Sequence, residues 1–174
     1  MKNKHVFFFL TALVGISMFI NSCKKDAQTS IQALFTDGKW QLASVVKLRY
    51  VGATQLLPVP SDTLNTTCDS TQIFTFNTNN TCTYTNFDCI AQPKSSGTWS
   101  LSNDQLFLMS NMMCTDTIAG GTVSSGQPFA YTQIFNIGQY SMILRTGNIA
   151  TYYTSTTKRT IIQYGFVHPT STGN

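Results

Sequence analysis

Glutamate is missing altogether from these 174 residues, and charge of either sign is scarce: 7 acidic residues stand against 11 Lys and Arg, and charged residues make up 10% of the chain. The carboxylates are Asp26, Asp37, Asp62, Asp69, Asp88, Asp104 and Asp116, and no two of them form a DxD or DxxD pair. Paired carboxylates for general acid–base work are therefore lacking. No GxSxG elbow supplies a nucleophile, and Gly121 to Gly126 misses the spacing. Histidine is limited to His5 and His168. His168 follows the last predicted strand, where it reads as a surface residue without catalytic partners. No CxxC or CxxH spacing occurs, which removes the usual zinc pattern. No enzyme, no metal and no cofactor are expected. The net charge of +4 falls to +2 once Lys2 and Lys4 are assigned to a leader segment. That excess is too small, and too dispersed, for nucleic-acid binding.

Thr and Ser together number 42, with 12 Phe and 7 Tyr. Glu, Lys, Arg and Ala usually fill exposed helix faces, whereas Thr, Tyr and Phe suit half-buried strands. The composition predicts an all-β protein. Its length allows one domain with a core of its own.

Met1 to His5 is a short basic region, and Val6 to Ile20 is a run of 15 mostly apolar residues. A membrane-spanning helix wants about 20, so the run suits a signal-peptide core over residues 1–22. The tetrad Ile20-Asn21-Ser22-Cys23 then resembles the lipobox of bacterial lipoproteins. Ile20 and Ser22 match that pattern, and Asn21 is bulkier than usual. The resemblance implies acylation of Cys23 and a membrane held through a lipid anchor. Residues 23–36 read as a tether. Lys24 differs from the Asp that retains enterobacterial lipoproteins at the inner membrane, which points to the outer membrane, periplasmic or surface-facing. The charged start of the tether also resembles surface-export signals of Bacteroidetes lipoproteins, or is simply solvated.

Four cysteines remain: Cys68, Cys82, Cys89 and Cys114. An even number in an exported domain reads as two disulfides. Cys68 precedes and Cys89 follows a predicted hairpin whose ends meet, so Cys68–Cys89 is the natural first pair. Cys82–Cys114 is then the second.

Period-two alternation from Trp40 to Tyr50 predicts a strand with one wet face. Asn77 to Asn80 is a turn between Ile73–Phe76 and Cys82–Thr85. Gly97–Leu101 and Leu106–Met109 make a second hairpin about Ser102 to Asp104. Residues 110–127 read as the longest loop. Phe129–Ile137 alternates, with Phe129, Tyr131, Gln133, Phe135 and Ile137 on one face, and Tyr140–Arg145 returns. Residues 148–157 fit either a short strand or a loop, and Arg159–Val167 is the last strand. Seven to nine short strands suggest a meander closing into an antiparallel barrel of about eight strands. The domain spans residues 37–168, with 169–174 as a tail.

Gly38-Lys39-Trp40 resembles the Gly-x-Trp signature of lipocalins. The series Cys68-Asp69, Phe74-x-Phe76, Gly97 to Leu101 and Leu106-x-Leu108 is similar to the lipocalin-like lipoproteins of Bacteroidetes. The resemblance implies a lipocalin-like barrel. It also implies that Trp40 packs at the closed end under an Arg from a late strand, either Arg145 or Arg159.

Trp40, Phe74, Phe76, Tyr84, Trp99, Phe135 and Tyr140 are expected to point inward, lining a ligand cavity or simply filling the barrel. Asp62-Thr63-Leu64, Asp69-Ser70-Thr71 and Asp116-Thr117-Ile118 resemble the Bacteroidetes O-glycosylation acceptor, making Thr63, Ser70 and Thr117 candidates; in so Thr-rich a chain, coincidence is the other reading. Two functions compete. One is binding of a small apolar or amphipathic ligand. The other is a filled barrel whose loops dock a protein partner that the sequence does not name. Lipidation is directly testable: Cys23→Ala should stop incorporation of labelled fatty acid and leave uncleaved precursor. Unchanged labelling would contradict the lipobox reading.

Overall fold

The computed structural model describes residues 31–57, 71–90, 94–117, 123–150 and 152–169. The leader over residues 1–22, Cys23, Cys68, Thr63, Ser70 and most of the 169–174 tail lie outside them. Residues 31–36 are helical, within the stretch expected to be tether. A compact unit begins at Leu34.

Strand β1 (Lys39–Val51) starts directly after Gly38 and continues into the two-residue β2 (Thr54–Gln55). Gly38 has φ of 121°, a conformation that L side chains rarely adopt, which explains why glycine stands there. β3 (Ile73–Phe76) and β4 (Thr81–Thr85) form the predicted hairpin. In its turn the Asn79 carboxamide oxygen accepts from the Thr81 amide at 3.1 Å. A 3-10 turn, η1 (Phe87–Cys89), follows, and then β5 (Ser95–Leu101) and β6 (Phe107–Ser110). The β5–β6 turn is held by Asp104, which accepts from Ser102 Oγ at 2.5 Å and from the Leu106 amide at 3.1 Å.

The stretch expected to be the longest loop contains a hairpin of its own, β7 (Cys114–Thr117) with β8 (Val123–Gly126). Its Gly and Ser content read as loop, yet four register pairs from Cys114↔Gly126 to Thr117↔Val123 form a separate two-stranded sheet. β9 (Thr132–Ile137), β10 (Ser141–Gly147) and β11 (Lys158–Val167) complete the chain, and the described residues of 148–157 form no strand.

Strand order is β1-β3-β4-β5-β6-β9-β10-β11, and β11 pairs back onto β1 from Gln41↔Val167 to Val51↔Lys158. The result is the expected closed antiparallel barrel of eight strands, without a free edge. At one end lie Gly38, the 77–80 and 102–106 turns, and Gln139-Tyr140. At the other lie β2, η1, the β7–β8 hairpin and residues 148–157.

The Gly38 end is solid. Phe35 is fully buried and its carbonyl accepts from Trp40 Nε1 at 3.1 Å, so the last helical turn folds back under the barrel. Its ring meets Phe76 edge-on at 4.9 Å and Trp99 at 5.6 Å. Trp99 Nε1 in turn donates to the Asn77 carbonyl at 3.1 Å. Both indole N–H groups are thus satisfied, as burial requires.

Neither expected arginine covers Trp40. Arg145 is on the outer face, over the Phe135 ring and donating to Gln163 at 2.8 Å. Arg159 sits over Tyr153 and donates to the Gly52 carbonyl at 3.0 Å. His168 takes the place instead: its ring lies 3.9 Å from the Trp40 ring, and Nδ1 is 3.0 Å from the Lys39 carbonyl oxygen. It is half-buried at the surface, and these contacts are structural rather than catalytic. The chain crosses the barrel base just after β11, which brings residue 168 to the indole while both arginines are held elsewhere. Trp40→Ala should cost about 3–5 kcal/mol of unfolding free energy, measured by urea titration. Wild-type stability in that variant would contradict the placement.

Candidate ligand-binding site

Within the barrel the inner residues are mostly aromatic. Trp40, Phe74, Phe76, Tyr84 and Trp99 all turn inward as expected and are at most 3% exposed. Phe135 and Tyr140 do not: they are 52% and 73% exposed. Phe135 is the odd residue of a β-bulge, since β9 pairs Ile134 and Asn136, but not 135, with β10. The bulge reverses the alternation that the sequence suggested, so that Thr132 is buried and Tyr131 exposed. Tyr140 belongs to the turn closed by the Gly138 amide on the Ser141 carbonyl, before β10 begins.

The rings form a continuous series. Phe74 meets Phe76 at 4.1 Å, Tyr84 at 5.2 Å and Phe129 at 4.9 Å. Phe129 then meets Tyr164 at 5.2 Å, and Tyr84 meets Phe87 at 5.3 Å. Phe87 and Phe129 differ from the others in origin. Phe87 sits on η1 and Phe129 on the connection between β8 and β9, where the Phe129 carbonyl accepts from the Ser110 amide at the end of β6 at 2.9 Å. These two rings close the interior at the η1 end.

Polar groups inside are paired in nearly every case. Tyr84 Oη donates to Gln72 Oε1 at 3.2 Å, and Gln72 Nε2 faces Cys89 Sγ at 3.8 Å. Tyr164 is hydrogen-bonded to Thr146. Burial raises the titration of both Tyr84 and Tyr164, so they are neutral hydroxyls at physiological pH. Among the described residues, three buried side-chain atoms have no hydrogen-bond partner: Arg159 Nε, His168 Nε2 at the Gly38 end, and Thr132 Oγ1 on the barrel wall. Thr132 is fully buried.

The expected Cys82–Cys114 disulfide is not formed; both are free, buried thiols. Each is instead taken up by a hydroxyl, Cys82 Sγ lying 3.3 Å from Ser110 Oγ and Cys114 bonding to Ser95. A Cβ on Gly97 would stand 2.7 Å from Met112 Cα, so only glycine lets the chain after β6 lie this close to β5. Cys89 is not among the free thiols, and its expected partner Cys68 lies outside the described residues. Among the candidate acceptors, Thr117 is on β7.

Two shallow clefts open elsewhere. One, of about 420 Å³, lies beside Lys39, Tyr140 and His168. The other, of about 480 Å³, lies on the outer wall beside Asn80, Asn111 and Gln127. Neither is lined by Tyr84, Phe129 or Thr132.

Residues 36–164 match the family described as the lipocalin-like domain. The chain belongs to that family. No curated protein and no solved structure is significantly similar to it. Within this lipocalin-like barrel the sequence reading missed Phe35, Phe87, Phe129, Tyr164 and Phe166. Ile31, Leu34 and Phe35 carry helical apolar spacing just before Asp37-Gly38, which was a usable signal; Phe129 heads the alternating face read from Phe129 to Ile137, and Phe87 stands in a turn-rich segment without one.

Burial pushes the Cys114 thiol up from 9.0 to about 11 and raises Cys82 as well. The protonated thiol is favoured by folding, so its contribution is complete below pH 9 and lost as pH rises through about 11. Both cysteines should resist iodoacetamide at neutral pH in the folded protein and label fully in denaturant. A mapped Cys82–Cys114 bond, or full labelling of the native protein, would contradict this arrangement.

Proposed function

We propose that this chain is an exported, lipid-anchored binding protein of the lipocalin-like Bacteroidetes lipoprotein type, which takes up a small apolar or amphipathic ligand through the η1 end of its barrel. The lipobox supports the anchor at Cys23 and a place at the outer membrane. The missing acid–base groups support a binding role rather than a catalytic one. Export also suits a Cys68–Cys89 disulfide.

The observation that carries the binding reading is the asymmetry of closure. At the Gly38 end the interior is sealed by Phe35, Trp40 and His168, tied to β1 or to its carbonyls. At the η1 end it is sealed by Phe87 and Phe129, on a three-residue turn and a loop. Short elements outside the ladder open at lower free energy than barrel strands. Their displacement exposes an apolar bore floored by Phe74 and ringed by Tyr84 and Tyr164, the kind of site that takes a small ligand.

The competing reading, a filled barrel that docks a partner through residues 110–128, draws on the same ring contacts. Phe129→Ala separates the two. If Phe129 is a displaceable plug, its truncation should tighten uptake of the neutral fluorophore N-phenyl-1-naphthylamine by ~3- to 10-fold, read in nanodiscs against empty discs. If the barrel is only a core, neither protein takes up the probe, and the variant simply loses about 3–5 kcal/mol of stability.

A further inference from the structure

The interior is unusual in the charge it lacks, and this narrows the ligand. Residues 31–169 contain seven Lys and Arg, namely Lys39, Lys47, Arg49, Lys94, Arg145, Lys158 and Arg159, and none is buried. Arg145 and Arg159 are the least exposed; Arg145 lies over Phe135 and donates to Gln163, and Arg159 lies over Tyr153 and donates to the Gly52 carbonyl through Nη2, its buried Nε having no partner. Both are stacked on rings of Tyr50, Tyr153 or Phe135, and among the described residues no buried Lys or Arg meets an anion inside the barrel. Asp116 and Asp88 both act on the buried Tyr164 hydroxyl from the β7 and η1 side, and oppose its ionisation. A carboxylate taken from water into such a site leaves its hydration without compensation.

One interior group is left for a ligand to satisfy. Thr132 shares the inner face of the wall with Leu108, its register partner, and both are fully buried. Its hydroxyl is unpaired, while Tyr84, Tyr164, Cys82 and Cys114 are matched to partners. A buried hydroxyl without a partner is unfavourable, and donating a hydrogen bond to an oxygen of a bound molecule would remove that cost. Thr132 follows Phe129 by three positions, at the start of β9.

Resting on the ligand-binding reading above, we infer that the barrel selects an uncharged ligand, an apolar chain or ring bearing a neutral oxygen such as an ester or alcohol, and that Thr132 Oγ1 is the group that meets that oxygen. Fatty acids and other anionic amphiphiles are excluded by the same arrangement.

The test uses the full lipidated chain in nanodiscs, with the methyl carbons of Met112 and Met142, both fully buried, labelled for NMR. It is titrated with methyl octanoate, with octanoate and with octylamine, and empty discs are measured alongside to correct for partitioning. Methyl octanoate should shift the two methyl resonances with an affinity at least ~10-fold above that of octanoate. Thr132→Val, which keeps the shape and removes the hydroxyl, should weaken the ester by ~3- to 10-fold without loss of stability, and Thr132→Ser should restore it. Octanoate or octylamine binding as tightly as the ester would overturn the selection of a neutral ligand. Unchanged ester affinity in Thr132→Val would overturn the role of Thr132. Failure of all three compounds to bind would instead overturn the binding reading on which the inference rests.

Discussion

Closure of the sheet by β11 on β1 is the constraint from which the rest of the structure follows. Once the last strand pairs with the first, no edge remains, and half of every strand faces a bore only wide enough for side chains or one small molecule. A chain with few charges and many rings satisfies this by placing its rings inside, so that Phe74, Tyr84, Phe129 and Tyr164 touch one another across the barrel. The low dielectric of that interior also dictates the pairing of its polar groups: Tyr84 with Gln72, Cys82 with Ser110.

The two ends answer to different requirements. Beneath Gly38, Trp40 lies on β1, is fixed by the Phe35 carbonyl and is covered by His168, the residue after β11. At the η1 end the chain turns sharply, with Asn86, Asp88 and Cys89 all at positive φ, and the sealing rings belong to short connections. A barrel with one rigid floor and one cover that opens cheaply can take in a small molecule without unfolding its wall. That mechanical difference links the fold to the proposed activity.

Much of this was legible in the sequence. Alternation along Trp40–Tyr50 and the Asn-rich turn after Phe76 define β1 and the β3–β4 hairpin directly, because side-chain period and turn chemistry are local properties. Phe135 and Tyr140 were not legible, because a single extra residue in β9 reverses which side chains face inward, and nothing in the local pattern marks the bulge. Thr132 escaped for the same reason. The free thiols of Cys82 and Cys114 reflect a tertiary choice: each sulfur found a serine hydroxyl nearby, which spacing along the chain does not encode. His168 reached Trp40 only through the closing pair of strands, a contact spanning nearly the whole domain.

The central claim is that Phe87 and Phe129 form a cover that opens without the barrel. Native-state hydrogen exchange of individual amides measures this most directly. The Ile90 amide on Phe87 and the Ala130 amide on Gln127 belong to the cover, while the amides of Leu144 and Tyr164 belong to the wall. The account predicts that the cover amides exchange through a local opening insensitive to low denaturant, several kcal/mol below the free energy at which the wall amides exchange. Equal opening free energies at all four positions, with the same denaturant dependence, would show a single cooperative core and contradict the account.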